Sequence, residues 1–136
     1  MNMQYMIDTN ICIFLMKNQA PQALRRLESL YKGDAVISII TFAELRAGIE
    51  LGGLNSDREN RSLDQLIQYL PVLPFDKNEA YFYGRLRAVV KDRKRNTMDG
   101  LIAAHALSCG ATLVTHNTSD FEDYPNLKVE DWMALH

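Results

Sequence analysis

With 136 residues, 47% of them hydrophobic, the chain is long enough to bury about two-thirds of its unfolded surface in one core and too short for two comfortable domains. Charge is nearly balanced, 15 basic against 17 acidic side chains, so the net −2 sets up no global field that draws in a polyanion, and any nucleic-acid contact must come from local patches. The two cysteines, Cys12 and Cys109, have no partner pair for a zinc site or disulfide framework, and no run resembles a signal peptide or the roughly 20 apolar residues of a membrane span, so the expectation is one soluble domain over residues 1–136 in a reducing cytoplasm.

Tyr5-Met6-Ile7 is a short apolar run that leads directly into Asp8, Thr9 and Asn10, which places a carboxylate at the end of a buried strand. Residues 9–17 read as a short helix capped by Thr9 or Asn10, and Pro21 opens a second helix with Leu24, Leu27 and Leu30 at helical spacing. Residues 35–40 form a β-branched apolar run broken only by Ser38, as expected for a strand covered on both faces. A helix is expected from Thr41 to the Gly52-Gly53 stop, and an amphipathic one over 56–70. Pro71-Val72-Leu73-Pro74 allows only a short edge strand.

Asp76 and Glu79 have capping-box spacing, and residues 80–93 read as a long helix whose end is crowded by Arg85, Arg87, Lys91, Arg93, Lys94 and Arg95. A solvated helix end explains such a run, but it is also the one local patch able to grip a phosphate backbone. Thr97 is the expected cap of a small-residue helix that carries Asp99 in its first turn and stops at Gly110. Residues 111–115 form a strand, followed by a polar loop holding His116, Asn117 and Asp120, an edge strand over 127–129, and a closing helical turn at Asp131-Trp132-Met133. Strands separated by helices imply an α/β fold with a mainly parallel central sheet.

In a parallel sheet Asp8, Glu44, Asp99 and Asp120 all collect near one edge. Like charges gathered there raise one another's pKa and are costly unless a cation joins them, and oxygen ligands with open positions suit Mg²⁺ or Mn²⁺. Such an ion supports phosphoryl transfer or phosphodiester hydrolysis. Each acid also has an ordinary explanation: Thr41-x-x-Glu44 fits a capping box, Asp99 favours a helix dipole, and Asp120 caps a turn. Their joint placement is what carries the inference. Thr9, Asn10, Ser38, Thr115 and Asn117 are candidate donors to the carboxylates. His105 lies on a different helical face from Asp99, and His116 reads most simply as a solvated loop histidine beside the acidic edge.

Asp8-Thr9-Asn10 after an N-terminal strand, Glu44 in Thr-x-x-Glu-Leu, the run from Asp99 to Ala106, and the run from Thr115 to Phe121 together resemble a PIN domain, and more narrowly a VapC-type toxin. The resemblance spans residues 6–132. It implies a three-layer α/β/α fold and an endoribonuclease dependent on Mg²⁺ or Mn²⁺. Asp8, Glu44, Asp99 and Asp120 are then its acidic, metal-holding set, with Thr9, Asn10, Ser38, Thr115 and Asn117 in support. It further implies a homodimer, a VapB-like antitoxin, and a tRNA or rRNA substrate whose cleavage inhibits translation. One departure is that residues 95–98, Arg-Asn-Thr-Met, lack the Gly and Pro of many members. Two other readings compete: a phosphoacceptor receiver domain, which requires a doubled acid where Ile7-Asp8 stands, and a catalytically silent binding module.

Overall fold

The computed structural model describes residues 4–52, 56–90 and 96–133. In chain order these form β1 (Tyr5–Ile7), α1 (Thr9–Met16), α2 (Pro21–Glu28), β2 (Ala35–Ser38), α3 (Ile39–Gly52) and α4 (Ser56–Tyr69). There follow β3 (Val72–Leu73), α5 (Lys77–Val89), α6 (Thr97–Cys109), β4 (Thr112–Val114), a 3-10 turn (Thr118–Phe121) and β5 (Val129–Glu130). The sheet order is β3-β2-β1-β4-β5 and every pairing is parallel. Both short strands flanked by polar or proline residues, β3 and β5, lie at the edges, where missing donors and partial exposure cost least.

Alternation along the three central strands divides the core into two layers. Ile7, Ile37 and Val114 point into a cluster with Ile11, Cys12, Leu45, Ile49, Leu63 and Leu66, under α1, α3 and α4. Met6, Val36 and Leu113 point the other way, against Leu86, Ile102, Ala103, Ala106, Phe121 and Tyr124. The result is the expected α/β/α sandwich. The alanines of α6 let that helix lie close to the sheet, and α5 packs along its outer side.

Several element boundaries differ from the sequence reading, each for a local reason. Asp8, not Thr9 or Asn10, is the N-cap of α1: its carboxylate accepts from the Ile11 N–H at 3.1 Å. The helix expected from Thr41 starts at Ile39, because Ser38 Oγ accepts from the Ile40 N–H at 3.0 Å and turns the chain as soon as β2 ends. Thr41 is therefore an interior helix residue, and the capping-box explanation of Glu44 no longer applies. Asn96 rather than Thr97 caps α6, accepting from Met98 N–H at 2.9 Å, while Gly110 ends it at φ 66°. The Asp76 N–H donates to Glu79 Oε1 at 2.8 Å and α5 begins at Lys77, but it stops at Val89, short of the expected Arg93.

The closing turn at residues 131–133 is not helical. Trp132 is buried there, edge-on to Tyr5 at 5.0 Å with the Arg26 guanidinium over its ring, so packing overrides local propensity. No helix among the described residues is long and apolar enough to cross a membrane.

Candidate active site at the sheet switch point

β1 is flanked by β2 on one side and β4 on the other, so successive connections leave it in opposite directions. Open α/β sheets form a crevice beyond the carboxyl ends of strands at such a point. Asp8 follows β1 and Thr115 follows β4, and the Asp8 N–H donates to the Val114 carbonyl at 2.9 Å, which holds the two strand ends in register. Asp8 is only 5% exposed. Burial raises its pKa first, and the nearby Glu44 charge adds to that rise. Hydrogen bonds from the Thr115 hydroxyl and from the Ile11 and Asn10 N–H groups oppose it. The site holds a carboxylate that the protein partly shields but leaves short of positive charge.

Glu44 reaches the same corner from α3. Its Oε1 accepts the Thr9 hydroxyl at 2.6 Å, and Thr9 Oγ1 lies 3.4 Å from the buried Thr41 hydroxyl. Thr9 thus acts on Glu44 and Thr115 on Asp8, which are two of the expected supporting contacts. Asn10 contributes through its backbone while its side chain is exposed. The Asn117 N–H donates to Thr115 Oγ1 at 3.0 Å and its carbonyl accepts from the Asp120 N–H at 3.1 Å, so Asn117 ties the end of β4 to the 3-10 turn.

Ser38 is placed differently: its hydroxyl is shared between the Ile40 N–H and His105 Nδ1, at 2.7 Å from the latter. It orders the start of α3 instead of touching an acid.

Asp99 is half-buried in the first turn of α6. The chain enters the amino end of β4 straight after α6, so the helix runs back along the sheet and its first turn lies toward the carboxyl edge. At Gly100 a Cβ would stand 3.2 Å from the Tyr83 ring, so glycine lets α5 approach beside Asp99. Asp120 is exposed in the 3-10 turn, which packs on α6.

Among the described residues, no three His, Cys, Asp or Glu side chains close into a cage for a metal. Mg²⁺ does not require one, since it is commonly held by one or two carboxylates with water and substrate phosphates completing its octahedron. The all-oxygen pair of Asp8 and Glu44, with Asp8 buried and destabilised as an anion, fits such an ion.

Two residues carry more than the sequence suggested. His116 is not simply solvated: its Nδ1 lies 3.1 and 3.3 Å from the two Asp131 oxygens, and its ring stands edge-on to Phe14. Asp131 is 15 residues away, and no spacing rule links them. Of the basic run, Arg85 stacks on Phe82 and lines a groove with Leu107, Gly110, Ala111 and Lys128, at the amino end of β4 and away from Asp8. Lys91, Arg93, Lys94 and Arg95 lie outside the described residues. Arg87 is exposed on the last turn of α5. A cavity of about 470 Å³ that adjoins Glu44 is also lined by Ile13, Met16, Lys17, Ile49 and Arg58.

The comparisons with known proteins agree with this geometry. The PIN domain family profile matches residues 5–127. The chain is 36% identical over 132 residues to the tRNA(fMet)-specific endonuclease VapC of Shigella flexneri, covering 96% of this chain and 98% of that protein. It is 37% identical over 133 residues to ribonuclease VapC1 of Haemophilus influenzae strain R2866, with the same coverage. Among solved structures, the Rickettsia felis VapBC2 complex bound to a promoter DNA fragment superposes with a TM-score of 0.88 at 33% identity, over 96% of this chain and 99% of that one. The DNA-bound VapBC of Salmonella typhimurium gives 0.88 at 36% identity, over 96% and 98%. With the parallel sheet, its order and its acidic corner already in place, the chain belongs to the PIN-domain family and, within it, to the VapC ribonucleases.

Proposed function

We propose that the chain is an endoribonuclease dependent on Mg²⁺ or Mn²⁺ and the toxin of a VapBC-type pair, cleaving tRNA or rRNA and so inhibiting translation in the cytoplasm. The observation that carries this reading is the buried Asp8 carboxylate at the switch point, beside a second acid, Glu44, that a threonine holds in place. Asp8, Glu44, Asp99 and Asp120 are the residues that would hold the ion, whose chemistry is to activate water and neutralise charge on the scissile phosphate. Thr115 and the α1 amides orient Asp8, Thr9 orients Glu44, and Asn117 positions the turn that carries Asp120. A receiver-type phosphoacceptor is disfavoured because the residue before Asp8 is Ile7, fully buried in the core.

The VapBC complexes among the structural neighbours support a VapB-like antitoxin as partner, and homodimerisation is part of the same reading. Mapping RNA 5′ ends after brief induction tests it. The wild type is expected to generate discrete new ends in one tRNA or rRNA class, and Asp8→Asn none. Equal patterns from the two would overturn the assignment.

A further inference from the structure

The histidine that follows Thr115 has no role in the proposed function, yet its ring is held in place just beyond the end of β4. Thr115 is the residue whose hydroxyl supports Asp8, so His116 sits one residue beyond the switch point. Its ring is fixed on two sides. Phe14, five residues beyond the first residue of α1, meets it edge-on with centroids 6.2 Å apart. Asp131 accepts at Nδ1, and that aspartate is itself held, because its Oδ1 takes the Met133 N–H at 2.8 Å. The aspartate side chain is 22% exposed and the histidine 49%, so the pair is anchored at the Asp131 end and open at the other.

A carboxylate bonded to Nδ1 selects the tautomer with its proton on Nδ1. The neutral ring then presents the Nε2 lone pair outward as a fixed hydrogen-bond acceptor. Nε2 has no partner among the described residues. What approaches this edge in the ribonuclease reading is a ribose–phosphate strand. Its phosphates are acceptors only, whereas the ribose 2′-hydroxyl is a donor along the backbone and the group by which RNA differs from DNA.

We propose that His116, oriented by Asp131, accepts a hydrogen bond from a ribose 2′-hydroxyl next to the scissile bond and so contributes to selection of RNA over DNA. This rests on the ribonuclease reading. It names a specificity contact of that site, with Asp131 as the positioning residue.

The test uses the intact protein and an RNA oligonucleotide containing the bond that the wild type cleaves. Single 2′-deoxy substitutions are walked across the nucleotides on either side. One position is expected to slow the wild type by about fivefold to tenfold, the worth of one hydrogen bond. His116→Ala should lose a similar factor on all-ribose RNA and lose nothing more at that deoxy position. His116→Gln, which keeps an acceptor at similar reach, should recover part of the discrimination, and Asp131→Asn should weaken it.

The Mg²⁺-dependent rise in melting temperature should be unchanged in His116→Ala, which separates this contact from damage to the acidic corner. The proposal is overturned if His116→Ala discriminates against the deoxy position as the wild type does. It is also overturned if the variant loses only salt dependence, the mark of a phosphate contact. If the wild type cleaves no RNA while Asp8→Asn is equally inert, the ribonuclease reading itself fails, and the His116 assignment with it.

Discussion

The Thr9 hydroxyl donates to Glu44 Oε1 at 2.6 Å, joining the first residue of α1 to the sixth of α3 and bringing the two helices that leave β1 and β2 to a common corner. Thr9→Val keeps the side-chain shape and removes the donor, freeing Glu44 to turn toward solvent. Loss of such an orienting contact typically costs 10–100-fold in metal affinity or activity, approximately, and that is the expected fall. Titrating RNA cleavage against Mg²⁺ checks it: the midpoint should move to higher concentration while the melting temperature in EDTA changes little. An unchanged midpoint would show that Glu44 needs no help from Thr9.

Asp8 caps α1, and in the proposed function it is also an anionic metal ligand, two duties that substitution can separate. Asn caps a helix about as well as Asp, whereas Ala forfeits roughly 1 kcal/mol. In EDTA, Asp8→Asn should therefore be at least as stable as the wild type, and Asp8→Ala less stable than Asp8→Asn by about that amount. Mg²⁺ is expected to stabilise the wild type and neither variant. Thermal unfolding with and without Mg²⁺ measures all three, and a metal-dependent shift that persists in Asp8→Asn would remove Asp8 from the site.

The raised pKa of Asp8 has a definite sign. The folded protein holds this proton to higher pH than the unfolded chain, whose value is near 3.8, so Asp8 favours folding most at low pH. Its contribution falls as pH rises through the elevated folded value. Metal binding opposes this loss because a cation stabilises the ionised form. Denaturant midpoints in EDTA should therefore fall less steeply with rising pH in Asp8→Asn than in wild type, across the window that starts near pH 3.8. Parallel curves would contradict the burial argument.

His105 works in the opposite direction. It is 1% exposed, bonded to Ser38 and edge-on to Phe75 at 5.4 Å, and burial lowers its pKa, although the Glu79 charge pulls the other way. The unfolded chain takes up a proton below about pH 6.5 that the folded protein refuses, so stability is present above that value and lost as pH falls through it. The expected slope is at most about 1.4 kcal/mol per pH unit, the limit for one proton. His105→Gln should flatten this slope below about pH 6.5 in urea titrations. An identical slope would assign the acid sensitivity elsewhere.

Periodicity and strand-end chemistry made the sheet, its buried central strands and the acids Asp8 and Glu44 readable in the sequence. The alternation of Met6 with Ile7 and of Leu113 with Val114 carries both core layers, and a carboxylate directly after β1 has few other uses. What was not readable depended on tertiary contacts. Ser38 looks like a donor to the acids by position, but the neighbouring α6 supplies His105, which claims its hydroxyl. Of the basic residues from Arg85 to Arg95, Arg85 stands over Phe82 and lines a groove at the amino end of β4, a placement set by tertiary packing and not by spacing. Asp131 and His116 meet beside Trp132, which packs into the core against Tyr5, a contact that no spacing in the sequence announces.

The central claim is that Asp8 anchors a metal-dependent site for RNA cleavage. The most direct measurement is cleavage of total RNA by purified protein in Mg²⁺, in Mn²⁺ and in EDTA, with Asp8→Asn run in parallel. Discrete fragments in either metal, abolished by EDTA and by Asp8→Asn, are the predicted result. Cleavage that survives EDTA, or equal cleavage by Asp8→Asn, would contradict it.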